Sequence, residues 1–384
     1  MRTRLQGRRV PKSNTLGILV AKNLLLLAVS ILVAALGSEL VARWLFPEWA
    51  PRTGTVTQFW QYDAKYGWSH VPGASGRFAS FGFDTTVTTN SIGFRGREVP
   101  LQKKPSTTRI LVLGDSYVWG FGVQDDEVFT SKIERLCPRV EAVNFGVSGY
   151  STDQELLLYR DKGAAYGADV VVLVLAGNDY EDNARSKVYV YYHKPAFVLD
   201  DDRLVPINQP VPRTNVVVRG FAWVAQQSYV LTQLNRSIES VVRALGSGSG
   251  SAKQQSGPKA EPAAPRPYPR TLGQAITVRL VREMAASVRA AGSGFVVVFT
   301  DGQGKTAREF AQSVADPAIA YVYLDDAFPP DEYARTHLPG DFHWNADGHA
   351  LVARTVARSL IEFKKVPAEA CSPAAVLSMM STTR

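Results

Sequence analysis

The sequence predicts an α/β fold: three layers, α/β/α, around a flavodoxin-like, mainly parallel, doubly wound sheet, behind an N-terminal transmembrane helix. Three observations predict it. Short apolar runs, RILVLG (109–114), RVEAVNFG (139–146), DVVVLVLAG (169–177), GFVVVFT (294–300) and AYVYL (320–324), alternate with segments of helical spacing. Such alternation implies right-handed crossovers and a parallel sheet. Within 169–177, residues 170–175 are unbroken valine and leucine, as expected of a strand buried on both faces. Finally, LGILVAKNLLLLAVSILVAALG (16–37) is apolar apart from Lys22, Asn23 and Ser30, and its 22 residues can cross a hydrocarbon core of about 30 Å.

The chain has 384 residues, 45% of them apolar, enough for a substantial core. Of its net charge of +8, five charges come from Arg2, Arg4, Arg8, Arg9 and Lys12, with no acid among them. No basic stripe interleaved with aromatics follows, so nucleic acid is not expected as a partner. A basic arm (1–15) ahead of the apolar run should stay cytoplasmic. Lys22, near that end, can snorkel to the headgroups. The expected location is therefore the inner (cell) membrane, single-pass, with the bulk of the chain periplasmic or otherwise extracytoplasmic and the lipid bilayer as a partner. A cleaved signal peptide is the alternative, because Ala35-Leu36-Gly37 is a passable cleavage site. The run exceeds a usual signal-peptide core, which favours an uncleaved anchor. No cysteine directly follows it, which argues against a lipoprotein anchor. Cys137 and Cys371 either pair, in an oxidising compartment, or are two unrelated buried thiols.

Residues 38–107 read as a juxtamembrane stem and a cap. Trp44, Phe46 and Trp49 lie near the interface where aromatics gather. FDTTVTTNSIGFRG reads as a strand and a turn. Within it Arg95 has two readings: recognition of an anionic or sugar group near a cleft, or part of a structural turn with Phe94 buried, and the second is favoured. The main domain is expected at 108–364. Its first helix falls at 126–136. The next opens with Thr152 as N-cap and Glu155 three residues later. An insertion, 186–270, breaks the alternation. AFVLDDDRLVPI suggests a hairpin with an acidic turn, 217–244 is helical in pattern, and 246–269 is low-complexity and expected to be disordered. Helices resume at 276–291 and 345–363. The tail, 365–384, carries no signal.

In an open parallel sheet, ligands bind beyond the carboxyl ends of the strands. After the first strand come Gly114, Asp115 and Ser116. Asn144, Ser148 and Gly149 follow the second, and Gly177, Asn178 and Asp179 the third. Asp341, Phe342 and His343 precede the last helix. Each segment alone has a plain reading as a turn or cap. Together they are the parts of an acyl-transfer site: nucleophile, base, orienter and oxyanion donors. His349 reads as structural, and His193 and His337 lie in loops with no evident partner. No histidine–cysteine cluster has zinc spacing, so no metal and no cofactor is expected.

These four segments resemble the four blocks of the SGNH (GDSL-type) hydrolase superfamily. GDSY matches the first block, with Ser116 in the nucleophile position and Tyr117 where leucine is usual. Gly149 in NFGVSG matches the second, Asn178 in AGND the third, and Asp341 and His343 in GDFHWNADGH the last. The last acid and histidine are two apart where three is commoner, and the D-x-H-W form is similar to that of SGNH domains in bacterial polysaccharide O-acetylation. The resemblance implies a Ser116–His343–Asp341 triad. It implies an oxyanion hole from the backbone of Ser116 and Gly149 with the Asn178 amide. The expected function is an esterase that removes a short acyl group, such as acetyl, from a carbohydrate or small ester. The alternatives are an O-acetyltransferase on an exported polysaccharide, with export or modification proteins as partners, and a non-catalytic binding or assembly protein on this fold. Asp115 is expected to brace the turn. Gly120 and Gly122 are expected to shape the approach to the first helix.

Overall fold

A computed structural model describes residues 15–51, 56–188, 192–246, 271–328 and 332–381. The N-terminal apolar run lies in one long helix, α1 (Thr15–Leu45), which continues eight residues past Gly37. Two hairpins follow: β1 (Trp60–Asp63) with β2 (Gly67–His70), and β3 (Ser75–Ser80) with β4 (Phe83–Thr88).

The core sheet comprises β5 (Thr108–Gly114), β6 (Val140–Gly146), β7 (Val170–Leu175), β10 (Gly294–Phe299) and β11 (Ile319–Tyr323). All four pairings are parallel, in the order β11-β10-β7-β5-β6. The order reverses beside β5, where a doubly wound sheet opens its crevice. Strand residues alternate between two cores because successive side chains face opposite ways. Leu111, Leu113, Leu173 and Val297 pack on one side, against α4 (Thr152–Asp161), α8 (Leu272–Ala290) and α9 (Gly304–Val314). Ile110, Val112, Val172 and Val298 pack on the other, against α3 (Phe129–Leu136) and α10 (Ala346–Glu362). The architecture is the three-layer α/β/α arrangement anticipated.

Three local expectations need adjustment. The N-cap of α4 is Ser151, one residue before Thr152: the Ser151 N–H donates to Gln154 Oε1 at 3.2 Å, and Thr152 Oγ1 donates instead to Asp179 at 3.1 Å. The helical pattern at 217–244 is two helices, α6 (Val216–Ala225) and α7 (Tyr229–Gly246), because a carboxylate from α1 caps the second one. The tail forms a helix, α11 (Pro373–Ser381), that packs beside α10. The acidic hairpin is present as β8 (Ala196–Asp200) and β9 (Arg203–Ile207), joined by Asp201 and Asp202, both at positive φ as its two-residue turn requires. The low-complexity run lies outside the described residues, apart from Gly246 at the end of α7. Cys137 and Cys371 form a disulfide that ties the end of α3 to the chain just before α11.

Candidate active site

Ser116 opens α2 (Ser116–Trp119), a single turn that starts where β5 ends. Asp115 is its N-cap and accepts the Tyr117 N–H at 2.9 Å. Gly120, left-handed at φ 86°, stops the helix and returns its N–H to the Ser116 carbonyl. Close approach explains the glycines on either side. A Cβ on Gly114 would lie 2.3 Å from Val118 Cγ2, and one on Gly146 would lie 2.3 Å from the Trp119 nitrogen. Asn144 pins the same turn from β6: its amide donates to the Val118 carbonyl at 2.8 Å, and its Oδ1 accepts the Gly146 N–H. Ser116 is thus held on a rigid turn and is only 8% exposed.

His343 comes from the loop ahead of α10. Its Nε2 lies 2.7 Å from Ser116 Oγ and its Nδ1 lies 2.5 Å from Asp341 Oδ1. A carboxylate only accepts, so Nδ1 carries the proton and Nε2 faces the hydroxyl as an acceptor. The two-residue spacing closes through an Asx turn, because the same Asp341 oxygen also accepts the His343 backbone N–H at 3.1 Å. Phe121 stacks on the imidazole at 4.3 Å between ring centroids and Phe342 at 4.4 Å. Tyr117 donates to the Phe342 carbonyl at 3.0 Å, which ties the two loops together.

The structure also supplies an anchor that sequence reasoning missed. Asp301, just past the end of β10, accepts the Trp344 indole N–H at 2.8 Å through Oδ1 and contacts His337 Nε2 at 3.0 Å through Oδ2. His337, which had no evident partner in the sequence, is therefore half of a second histidine–aspartate pair. Its Nδ1 faces the Tyr333 carbonyl at 3.1 Å and Thr336 Oγ1 at 3.0 Å. His337 and Trp344 bridge across the base of the loop, and Leu338 N–H donates to the His343 carbonyl at 2.9 Å. The available signal was position: Asp301 is a strand-end acid.

Gly149 (φ 82°) and Asn178, the latter heading the short helix α5 (Asp179–Asp182), lie past the ends of β6 and β7, the strands that follow and flank β5. Asn178 Nδ2 donates to Asp182 Oδ2 at 3.3 Å, which occupies one of its two amide hydrogens. No described contact joins either residue to Ser116. Below them is a buried acid group. Burial pushes the Asp115 carboxyl up to about 7, and burial with neighbouring carboxylates pushes Asp179 and Glu155 well above their usual range. Lys194 pairs with Asp153 inside the same region, both fully buried. Arg95 takes a structural role. It is buried, pairs with Asp125 at 2.6 Å, and donates to the Trp119, Gly120 and Val123 carbonyls, so it braces the chain leaving α2. His349 is buried too, with Nδ1 accepting the Phe129 N–H at 3.3 Å. Among the described residues no cluster of histidine, cysteine or carboxylate is arranged to hold a metal.

No curated protein sequence matches the chain. Among solved structures it is similar to the psychrotrophic esterase EstA from a Pseudoalteromonas species, at 11% identity and a TM-score of 0.37, over 67% of this chain and all of that one. It is similar to a variant of Axe2, an acetyl-xylooligosaccharide esterase from Geobacillus Stearmophilus, at 11% identity and 0.35, over 67% of this chain and 96% of that one. A member of the lipolytic G-D-S-L family from Veillonella parvula is similar at 13% identity and 0.35, over 68% of this chain and 100% of that one. A family model, described as GDSL-like lipase/acylhydrolase, matches residues 112–351. That span takes in well over half of the chain, including Ser116, Gly149, Asn178, Asp341 and His343, and the chain belongs to the GDSL-like lipase/acylhydrolase family.

Proposed function

We propose that the chain is a membrane-anchored serine esterase whose catalytic domain faces out of the cytoplasm and which removes a short acyl group from a carbohydrate or small ester. One observation carries this reading: the unbroken relay from Asp341 through His343 to Ser116 Oγ, with contacts of 2.5 and 2.7 Å. Ser116 Oγ attacks the ester carbonyl while its proton passes to His343 Nε2. Asp341 holds the Nδ1 proton and stabilises the imidazolium. The oxyanion is taken by the N–H groups of Ser116 and Gly149 and by the Asn178 amide hydrogen that Asp182 leaves free. As the C–O bond breaks, His343 gives its proton to the departing alcohol. Water then attacks the acyl-serine by the same route, releasing the acid and restoring Ser116.

A short acyl group is supported by the aromatic packing around the histidine. Phe121, Tyr117 and Phe342 crowd it, and Ser116 and His343 are both buried. Phe342 is nevertheless 60% exposed at the rim, a ring on which a sugar face can stack. A sugar hydroxyl in place of water would make the same site an O-acetyltransferase. The outward location is supported by the basic arm before α1 and by the Cys137–Cys371 disulfide, which suits an oxidising compartment.

The test uses the full chain in detergent with p-nitrophenyl acetate, with and without an oligosaccharide acceptor. Hydrolysis that is lost in Ser116→Ala supports the esterase. Acetylated oligosaccharide formed in place of free acetate would move the assignment to transfer. Equal rates in wild type and Ser116→Ala would leave only a binding or assembly role on this fold.

A further inference from the structure

The insertion carries a helix that ought to be buried and is not. In α6, VVVRGFAWVA, Arg219 is the sole charge. A helix apolar on all sides belongs in a core or in lipid. Here only Ala222 and Ala225 are buried, while Val217 is 75% and Trp223 57% exposed, with Val216, Phe221 and Val224 exposed beside them. The next helix continues the pattern: Leu234, Ile238 and Val241 are exposed at helical spacing on α7. An exposed apolar patch of this extent marks an interaction surface.

Its position says what covers it. Glu39 of α1 sits two residues past the apolar run 16–37. Its carboxylate accepts Ser228 Oγ at 2.8 Å and the Tyr229 and Val230 N–H groups at 3.0 and 3.3 Å, which makes it the N-terminal cap of α7. Arg43, one turn on, lies over the Tyr229 ring at 5.2 Å. Farther along α7, Arg236 donates to the Glu48 carbonyl at 3.1 Å. The turn between α6 and α7 is therefore fastened to α1 just past the apolar run, where the neighbouring Trp44 is 83% exposed. We propose that α6 is a second membrane element, lying in the headgroup–acyl boundary of the bilayer that α1 crosses, so that the catalytic domain is held against the membrane surface at two places. The proposal rests on the reading of α1 as an anchor. An apolar helix of ten residues is too short to cross the bilayer, and its turn is fastened at the anchor's outer end, so the headgroup–acyl boundary is where its apolar surface is covered.

The two native cysteines are joined to each other, so one added cysteine is the only free thiol. Spin labels are placed on Leu27→Cys, Val205→Cys, Val217→Cys and Trp223→Cys of the full chain in phosphatidylglycerol-containing vesicles. All four side chains are exposed, so folding is undisturbed. The ratio of oxygen to water-soluble nickel accessibility should be several-fold higher at 217 and 223 than at 205, and of the same order as at 27. Water-like ratios at 217 and 223 with a lipid-like ratio at 27 overturn the interfacial helix and leave the anchor standing. A water-like ratio or no label at 27 overturns the anchor and the proposal with it. Protection from both reagents with dipolar broadening between labels would show a second copy on the patch, and would also overturn it.

Discussion

Two histidine–aspartate pairs stand six residues apart in one loop, and they differ in what the far nitrogen meets. His343 spans Asp341 and the Ser116 hydroxyl. His337 spans Asp301 on one side and the Tyr333 carbonyl and Thr336 hydroxyl on the other. Both imidazoles are buried, and both pairs have the distances of a good hydrogen bond. Only the first ends on a group that can be made a nucleophile. A buried pair is therefore no sign of chemistry by itself; the atom at the open end decides. The second pair supports the first. Through Trp344 and the bridge at the loop base, Asp301 fixes the backbone from which Asp341 and His343 project.

The largest difference between the two pairs is expected at the histidines. Replacing the proposed base, His343→Ala, should lower kcat about a thousandfold or more. His337→Asn should cost about 1–3 kcal/mol of stability while activity falls less than about tenfold, because its partners are left with unmet hydrogen bonds but no reacting group is removed. Steady-state kinetics and thermal unfolding on the same preparations check both. Comparable kinetic losses would erase the distinction between the two pairs.

The aspartates should differ by less. Asp341→Asn should reduce kcat by about 100- to 10,000-fold, since an amide no longer holds the imidazole proton at Nδ1. Asp301→Asn acts only through position, so its cost should be about 10- to 100-fold in kcat with KM little changed. An unchanged kcat in Asp301→Asn would show that the loop keeps its shape without the brace.

The smallest effect concerns Asp115. Burial holds its carboxyl at about 7, against an ordinary value near 4. The folded state keeps a proton that the unfolded chain releases, so this group's contribution is complete below about pH 4 and is lost as pH rises through about 7. Asp115→Asn keeps an acceptor for the Tyr117 N–H and removes the titration. Its thermal midpoint should fall less than that of wild type between pH 4 and 7. Parallel curves would place the pH dependence in Asp179 and Glu155 instead.

Much of this was legible in the sequence, and the part that was not has a physical cause. Four of the five core strands announce themselves because burial on both faces demands unbroken apolar runs, while β6 is broken by Glu141 and Asn144 and reads from its place in the alternation; Ser116 and His343 stand out because each sits where such a run or its return loop ends. Asp301 was missed because its partners are 36 and 43 residues away and nothing local marks them. The break between α6 and α7 was missed for the same reason: its cap, Glu39, lies 190 residues before Tyr229. The shift of the α4 cap from Thr152 to Ser151 reflects Asp179, a tertiary neighbour that claims the Thr152 hydroxyl. Arg95 reads from sequence as a recognition residue or a turn residue, and only the carbonyls around it decide for the turn.

Ser116 is the proposed nucleophile and His343 the group proposed to activate it. Intact and peptide mass spectrometry after treatment with an alkyl p-nitrophenyl phosphonate tests that directly. One adduct per chain should form, on the peptide containing Ser116, slowed strongly in His343→Ala, unchanged within about threefold in His337→Asn, and absent in Ser116→Ala. An adduct on another residue, or equal labelling of wild type and His343→Ala, would contradict it.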